Sequence, residues 1–220
     1  VEYVKSNSWE AVAKSWANEL FITQVPTEVK TRFEFIKENT PKDSKIVDIG
    51  SADGHLFDKE YSNVTRVDID DHRTPNFVHA NAENLPFGDK SFDVAVLGEV
   101  LEHVDNPNKA LSEAVRVANK VVITVPYEHE WHNESLGIPF ERLEDEEKER
   151  GITREEIYKD TDKVTFHKDD GYKHLRHQRY YTYDTLNDQI KEVAKDYSIT
   201  KLRVAGISHF GVIINANPVA

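Results

Sequence analysis

The sequence predicts an α/β protein. It would have one doubly wound sheet of about seven strands, mostly parallel with an antiparallel C-terminal hairpin, and helices on both faces. Three observations carry this. Short β-branched apolar runs alternate with amphipathic stretches of helical period. The alternation stops near the C-terminus, where two strand-like runs follow each other directly. A glycine-containing turn, Gly50–Ser51–Ala52–Asp53–Gly54, follows the first buried run, as expected where a parallel sheet opens toward a ligand and the turn opens the next helix.

Taken in order, the strands are expected at Lys45–Ile49, Val64–Ile69, Asn76–Ala80, Phe92–Leu97 and Val121–Val125, where β-branched and apolar residues cluster. "PTEVKTRFEFIKEN" reads as a helix, with Val29, Phe33 and Ile36 near a helical period and Pro26 close to its start. "PNKALSEAVRVANK" starts at Pro107 and puts Ala110, Leu111, Ala114, Val115 and Ala118 on one face. "TYDTLNDQIKEVAKDY" repeats the pattern with Leu186, Ile190 and Val193. "TKLRVAGIS" and "FGVIINAN" form the hairpin. The chain reads as a single domain over residues 1–220. Residues 1–40 form an N-terminal helical segment with a stripe at Trp9, Val12, Trp16 and Leu20. A charge-dense insertion at 128–172 is expected to cap the site, because both its ends leave the sheet edge where ligands bind.

The composition excludes several classes. A 220-residue chain with 38% hydrophobic residues can bury one sizeable core. A net charge of −12 disfavours a phosphate backbone as partner, so nucleic acid is not expected. There is no cysteine, hence no disulfide framework and no thiolate metal site, which fits a cytoplasmic location. No stretch is long and apolar enough to span a membrane. The absence of methionine, position 1 included, suggests a processed or trimmed start.

Three signals converge on the carboxyl ends of adjacent strands. The first is Asp48 with the Gly50–Ala52–Gly54 turn. This is not G-x-G-x-x-G, since the last glycine comes one residue early, and no G-x-x-x-x-G-K-[ST] is present. The second is "TRVDID", which ends a strand in Asp68, Ile69 and Asp70, where a carboxylate can accept from ribose hydroxyls. The third is the polar turn Asn81–Ala82–Glu83, followed by "NLPF".

With "VDIGSADG", "VDID", "NAENLPF", "SFDVAVLGEVLEHVDNP" and "VVITVP" in register over roughly residues 45–126, the chain resembles a class I S-adenosylmethionine-dependent methyltransferase. The type is that of the broad small-molecule, ubiquinone-biosynthesis-like enzymes, which have a Rossmann-like sheet. "HQRYYTYDTL" resembles the family segment that precedes the last helix. The resemblance implies S-adenosyl-L-methionine as cofactor and S-adenosyl-L-homocysteine as product. It implies that Asp48 and the Gly50–Gly54 loop hold the methionine part, that Asp68 with Ile69 holds the ribose, and that Asn81 and Ala82 meet the adenine. Glu99 would line the same pocket. The chain departs from the pattern at Ala52, which replaces a common glycine, and at Asn81, where the family often has Asp; an amide can still accept from the adenine amine.

Methyl transfer from a sulfonium asks mainly for alignment and exclusion of water, and some acceptors need a base. His103 and His177 are the expected catalytic histidines, and His129, Arg179 and Tyr181 are expected near a small-molecule acceptor methylated at O, N or C. Trp131 and His132 share the segment after the fifth strand. "GEVLEHV" has a second reading. Glu99, Glu102 and His103 at i, i+3 and i+4 of a helical turn would share a face and, with His177 or His174, resemble the metal set of RNA 3′-end 2′-O-methyltransferases. The cluster Lys168, Lys173, Arg176 and Arg179 would serve that alternative. The expectation here is a metal-free pocket. A third class is a non-catalytic cofactor-binding subunit. Acceptor identity and oligomeric state are not written in the sequence.

Overall fold

In this computed structural model the described residues are 25–57, 60–127, 179, 181–204 and 207–216. Their elements are β1 (Thr27–Glu28), α1 (Arg32–Asn39), β2 (Ile46–Ile49), β3 (Val64–Asp68), β4 (Phe77–His79), β5 (Phe92–Gly98), α2 (Pro107–Val117), β6 (Ala118–Pro126), α3 (Tyr183–Val193), β7 (Tyr197–Val204) and β8 (Ile207–Asn215). They form one eight-stranded sheet in the order β1-β7-β8-β6-β5-β2-β3-β4. All pairings are parallel except those of β8 with β6 and β7.

The order explains where a site can form. The chain runs outward from β2 through β3 to β4, then returns to β5 on the other side of β2. Loops therefore diverge above the β2–β5 pair, at the switch point where open α/β sheets leave a crevice. Side-chain alternation serves both faces. Val47, Ile49, Ala95 and Leu97 pack with α2 and α3, through Leu111, Ala114, Leu186 and Ile190. Ile46, Val94 and Val96 pack on the opposite face with Phe35 and Ile36 of α1.

The helices begin where their caps stand. Thr31 and Glu34 form a reciprocal capping box at α1. The Asn106 side chain accepts from the Lys109 amide at α2, with Pro107 next in sequence. Thr182 and Thr185 cap α3.

Four expectations are corrected. First, the sheet has eight strands rather than seven: Thr27–Glu28 pairs with Lys201–Leu202 on β7, so the chain after Pro26 is extended and the helix waits for the Thr31 cap. The segment 1–40 is thus not helical throughout; its residues 1–24 lie outside the described residues. Second, α2 stops at Val117, because Ala118 and Lys120 pair with Phe92 and Val94. Lys90 Nζ donates to the carbonyls of Val115 and Ala118, serving groups that a longer helix would have bonded itself, and also to the carbonyl of Ala216 beyond β8. Third, no helix opens after the glycine turn among the described residues of 50–63. Positive φ at Gly50 (72°), Ala52 (44°) and Gly54 (75°) is incompatible with right-handed helix. Fourth, Leu101–His103 is an isolated turn rather than a helix. The insertion 128–172 lies outside the described residues.

Candidate active site

A cavity of about 410 Å³ opens at the carboxyl ends of β2, β3, β4 and β5. It brings together Gly50 and Ala52, then Asp68, Ile69 and Asp70, then Asn81, Ala82 and Glu83, and finally Glu99, Val100 and His103. Most of the expected cofactor residues share this one wall. Its size suits a small-molecule site, typically about 300–1,000 Å³.

The glycine turn fits tightly against both neighbours. The amides of Gly50 and Ser51 donate to the Val67 carbonyl at 2.7 and 3.0 Å, and the Ala52 amide donates to Asp68 Oδ2 at 2.9 Å. A Cβ on Gly50 would stand 2.5 Å from Val100 Cγ2, so only glycine gives both the left-handed backbone and the close approach. Ala52 tolerates its φ of 44° at a small steric cost.

Asp48 does not line the cavity. Alternation places it on the α1 face with Ile46, opposite Arg66 of β3, and it is 2% exposed. Its Oδ2 has no hydrogen-bond partner. Burial pushes its carboxyl up to about 7, against the pull of the Arg66 charge and with a smaller push from Asp68. Arg66 donates to the carbonyls of Pro75 and Phe57. Asp48 thus stands two residues before the Gly50 turn, buried on the face that α1 covers.

At the β3–β4 end, Asp68 accepts from the amides of Ala52 and Asp70, at 2.9 and 3.0 Å. Each of its oxygens keeps a second lone pair for a ligand hydroxyl. Ile69 is 49% exposed beside it, an apolar surface suited to a flat ring. Asn81 Oδ1 accepts from the Glu83 amide at 2.8 Å. A ligand thus meets an amide whose oxygen already carries one bond. The Glu83 carboxylate accepts from the Asn106 amide at 2.8 Å, which fixes this turn against the start of α2.

At the β5 end, Glu99 takes φ of 59° directly after the strand, and its amide donates to the Thr124 carbonyl at 2.9 Å. Its Oε2 lies 3.2 Å from Arg32 Nη1 and 3.3 Å from His209 Nε2. Burial pushes the Glu99 carboxyl up, but the His209 hydrogen bond and the charges of His209 and Arg32 outweigh it, and the group lies below its ordinary value. Glu102 is fully buried, 4.0 Å from His103 Nε2. Glu99, Glu102 and His103 therefore do not share a helical face, and the metal set expected from their spacing is not assembled among the described residues. The carboxylate and imidazole atoms that do gather, within 4.8 Å, belong to Asp68, Asp70 and His72 at the opposite end.

Arg179 and Tyr181 do not line this cavity. The buried Arg179 guanidinium donates to the carbonyls of Leu101 and Asp105, bracing the turn that carries His103. Tyr181 is buried, and its hydroxyl donates to Gln189 Oε1 at 2.8 Å. Both border a second cavity of about 350 Å³ against α3. His129, His174 and His177 lie outside the described residues, as do Trp131, His132, Lys168, Lys173 and Arg176. Sequence reasoning missed Arg32 and His209. The one signal for His209 is a lone histidine within the apolar run "ISHFGVII".

Residues 47–122 match the family model of the methyltransferase domain. An uncharacterized protein of Methanocaldococcus jannaschii is 32% identical over 106 residues, covering 44% of this chain and 51% of that protein. The ubiquinone/menaquinone biosynthesis C-methyltransferase UbiE of Bartonella bacilliformis is 52% identical over 42 residues, 19% of this chain and 16% of that enzyme. The chain thus matches about half the length of the first relative and far less of the second. Among solved structures, a SAM-dependent methyltransferase of Thermotoga maritima, a possible histamine N-methyltransferase, superposes with a TM-score of 0.54 at 16% identity, covering 84% of this chain and 87% of that one. A second, from Methanosarcina mazei, superposes with a TM-score of 0.55 at 20% identity, covering 82% and 96%. The N-terminal domain of EvdMO1, solved with S-adenosylhomocysteine bound, gives 0.52 at 14% identity, covering 84% and 80%. The fold is thus one shared with solved S-adenosylmethionine-dependent methyltransferases, and residues 47–122 resemble a methyltransferase domain. No helix among the described residues is long and apolar enough to cross a membrane.

Proposed function

We propose that the chain is an S-adenosylmethionine-dependent methyltransferase acting at O, N or C of a small or medium-sized acceptor. The observation that carries this reading is the single cavity in which the Gly50–Ala52 turn, Asp68–Ile69, Asn81–Ala82 and Glu99 meet at four adjacent strand ends. The residues fit the cofactor. Gly50 leaves backbone room that a Cβ would fill, Asp68 presents carboxylate lone pairs, Ile69 offers an apolar face, and Glu99 offers a charge to a cation. When bound, the cofactor supplies an activated methyl group.

The chain's own part is then positional. Asp68 and the Asn81–Ala82 turn orient the adenosine half, and the glycine turn and Glu99 orient the other half. His72 and His103 both line the cavity, and His103, on the β5 side with Glu99, is the one assigned to take an acceptor proton. The small-molecule acceptor, the absence of a metal requirement and a cytoplasmic location belong to the same proposal. The last of these rests on a composition without cysteine.

Isothermal titration tests the reading. S-adenosylmethionine and S-adenosylhomocysteine should each bind with one-site stoichiometry, and NAD should give no heat. NAD binding with no response to either adenosyl ligand overturns it.

A further inference from the structure

We infer that Arg32 and His209 are positioning residues for Glu99, and that the three form one unit holding the amino-acid half of the adenosyl ligand. This rests on the methyltransferase reading and adds two residues to it.

The cavity runs across β5, β2, β3 and β4 in that spatial order. Asp68 and Asn81 stand on β3 and β4, so a ligand with its ribose and adenine there extends toward β2 and β5. Glu99 and Asp105 are the carboxylates that line the wall on the β5 side; Glu99 follows the strand directly, next to Val100, which packs on Gly50. The end of the ligand that arrives there carries an ammonium, and in the methyl donor a sulfonium as well. A carboxylate accepts from the first and attracts both.

Glu99 is held unusually firmly for a loop residue. Its φ of 59° is a conformation that L residues other than glycine adopt at a cost and keep only where surrounding contacts enforce it. The contacts here are the bond from its amide to Thr124 of β6, Arg32 Nη1 at 3.2 Å from the start of α1, and His209 Nε2 at 3.3 Å from β8. His209 sits on the face of β8 that carries Gly211 and Ile213, toward α1, and pairs in register with Pro126 at the end of β6. Arg32 also stacks over the Phe33 ring at 4.6 Å, which fixes its guanidinium. Both side chains meet the same oxygen, Oε2, so together they set the rotation of the carboxylate as well as its place.

The test is isothermal titration of the full chain with three probes. S-adenosylmethionine and S-adenosylhomocysteine carry the amino-acid half, and 5′-methylthioadenosine lacks it. His209→Ala should weaken the first two by about tenfold or more, the loss expected for a charge-assisted hydrogen bond out of place. It should change 5′-methylthioadenosine by less than about twofold, within the scatter for a change away from the groups that ligand would touch. His209→Gln, which keeps a donor at similar reach, should recover most of the loss. In a Glu99→Gln background His209→Ala should add nothing, because it acts only through Glu99.

Equal weakening of all three probes, full additivity with Glu99→Gln, or no loss at all overturns the inference. Arg32→Lys provides a second route should His209→Ala fold poorly, and it should give the same selective loss, since one ammonium cannot reproduce the guanidinium geometry. A wild-type protein that binds none of the three probes overturns the methyltransferase reading itself. Uniform weakening in the variants leaves that reading standing and removes only the positioning unit.

Discussion

The two ends of the cavity are built in different ways. At the β3–β4 end, Asp68 is held through the amide of Asp70 two residues on, and Asn81 through the amide of Glu83 two residues on. The geometry there is mostly local, and a short peptide motif carries it. At the β5 end, Glu99 is held by Arg32 from the first helix and His209 from the last strand, and the adjoining turn is held by Arg179. That geometry exists only once the whole sheet has closed. The difference separates what recognises the ligand from what depends on the rest of the fold, and substitutions should reveal it.

The largest effect is expected at Gly50, the joint between the two ends. Gly50→Val puts side-chain atoms into Val100 at a left-handed backbone position. It should lower unfolding free energy by roughly 2–5 kcal/mol in urea and abolish the heat of S-adenosylhomocysteine binding. A variant of wild-type stability would show that Val100 yields easily and that the joint is loose.

Asp48 comes next. Its folded carboxyl is raised from 3.8 to about 7, so the folded state binds the extra proton between those values. Its contribution is fully present below the unfolded value and is lost as pH rises through about 7. Asp48→Asn should therefore gain on the wild type between about pH 5 and about pH 8, by on the order of 2–3 kcal/mol in urea melts. A constant difference between variant and wild type across that range would contradict a buried, late-titrating carboxyl.

Asp68→Ala strikes the local end. It should weaken S-adenosylhomocysteine by about 1.5–3 kcal/mol and 5′-methylthioadenosine by as much, since both carry the ribose. Loss confined to the amino-acid-bearing ligand would reverse the assignment of the two ends. The smallest effect belongs to Ala52→Gly. Relief of the 44° φ and the added chain entropy nearly cancel, so the melting temperature should stay within the shift produced by about 1 kcal/mol.

The same contrast decides what the sequence reveals. β2, β3 and β5 are legible because their apolar runs end in turn residues, and Asp68, Asn81 and Ala82 are legible because each stands at or just beyond the end of its strand. Ala118–Lys120 continues the helical pattern of α2 and is claimed by pairing with Phe92 and Val94, which no local rule foresees. Glu99, Glu102 and His103 have the spacing of a helical face, but the left-handed Glu99 and the single turn after it place them apart. Arg179 looks like a ligand contact in sequence and is instead a brace on two carbonyls. Arg32 and His209 carry no motif. They matter through distance in space to Glu99, and only the closed sheet supplies that.

One ligand is expected to span both ends of the cavity. Amide hydrogen exchange of the full chain, with and without saturating S-adenosylhomocysteine, tests it most directly. Protection should rise together in four segments, Gly50–Gly54, Asp68–His72, Ala80–Glu83 and Glu99–Val104, one from each strand end that lines the cavity. Protection confined to Asp68–His72 and Ala80–Glu83, with Glu99–Val104 unchanged, would contradict it.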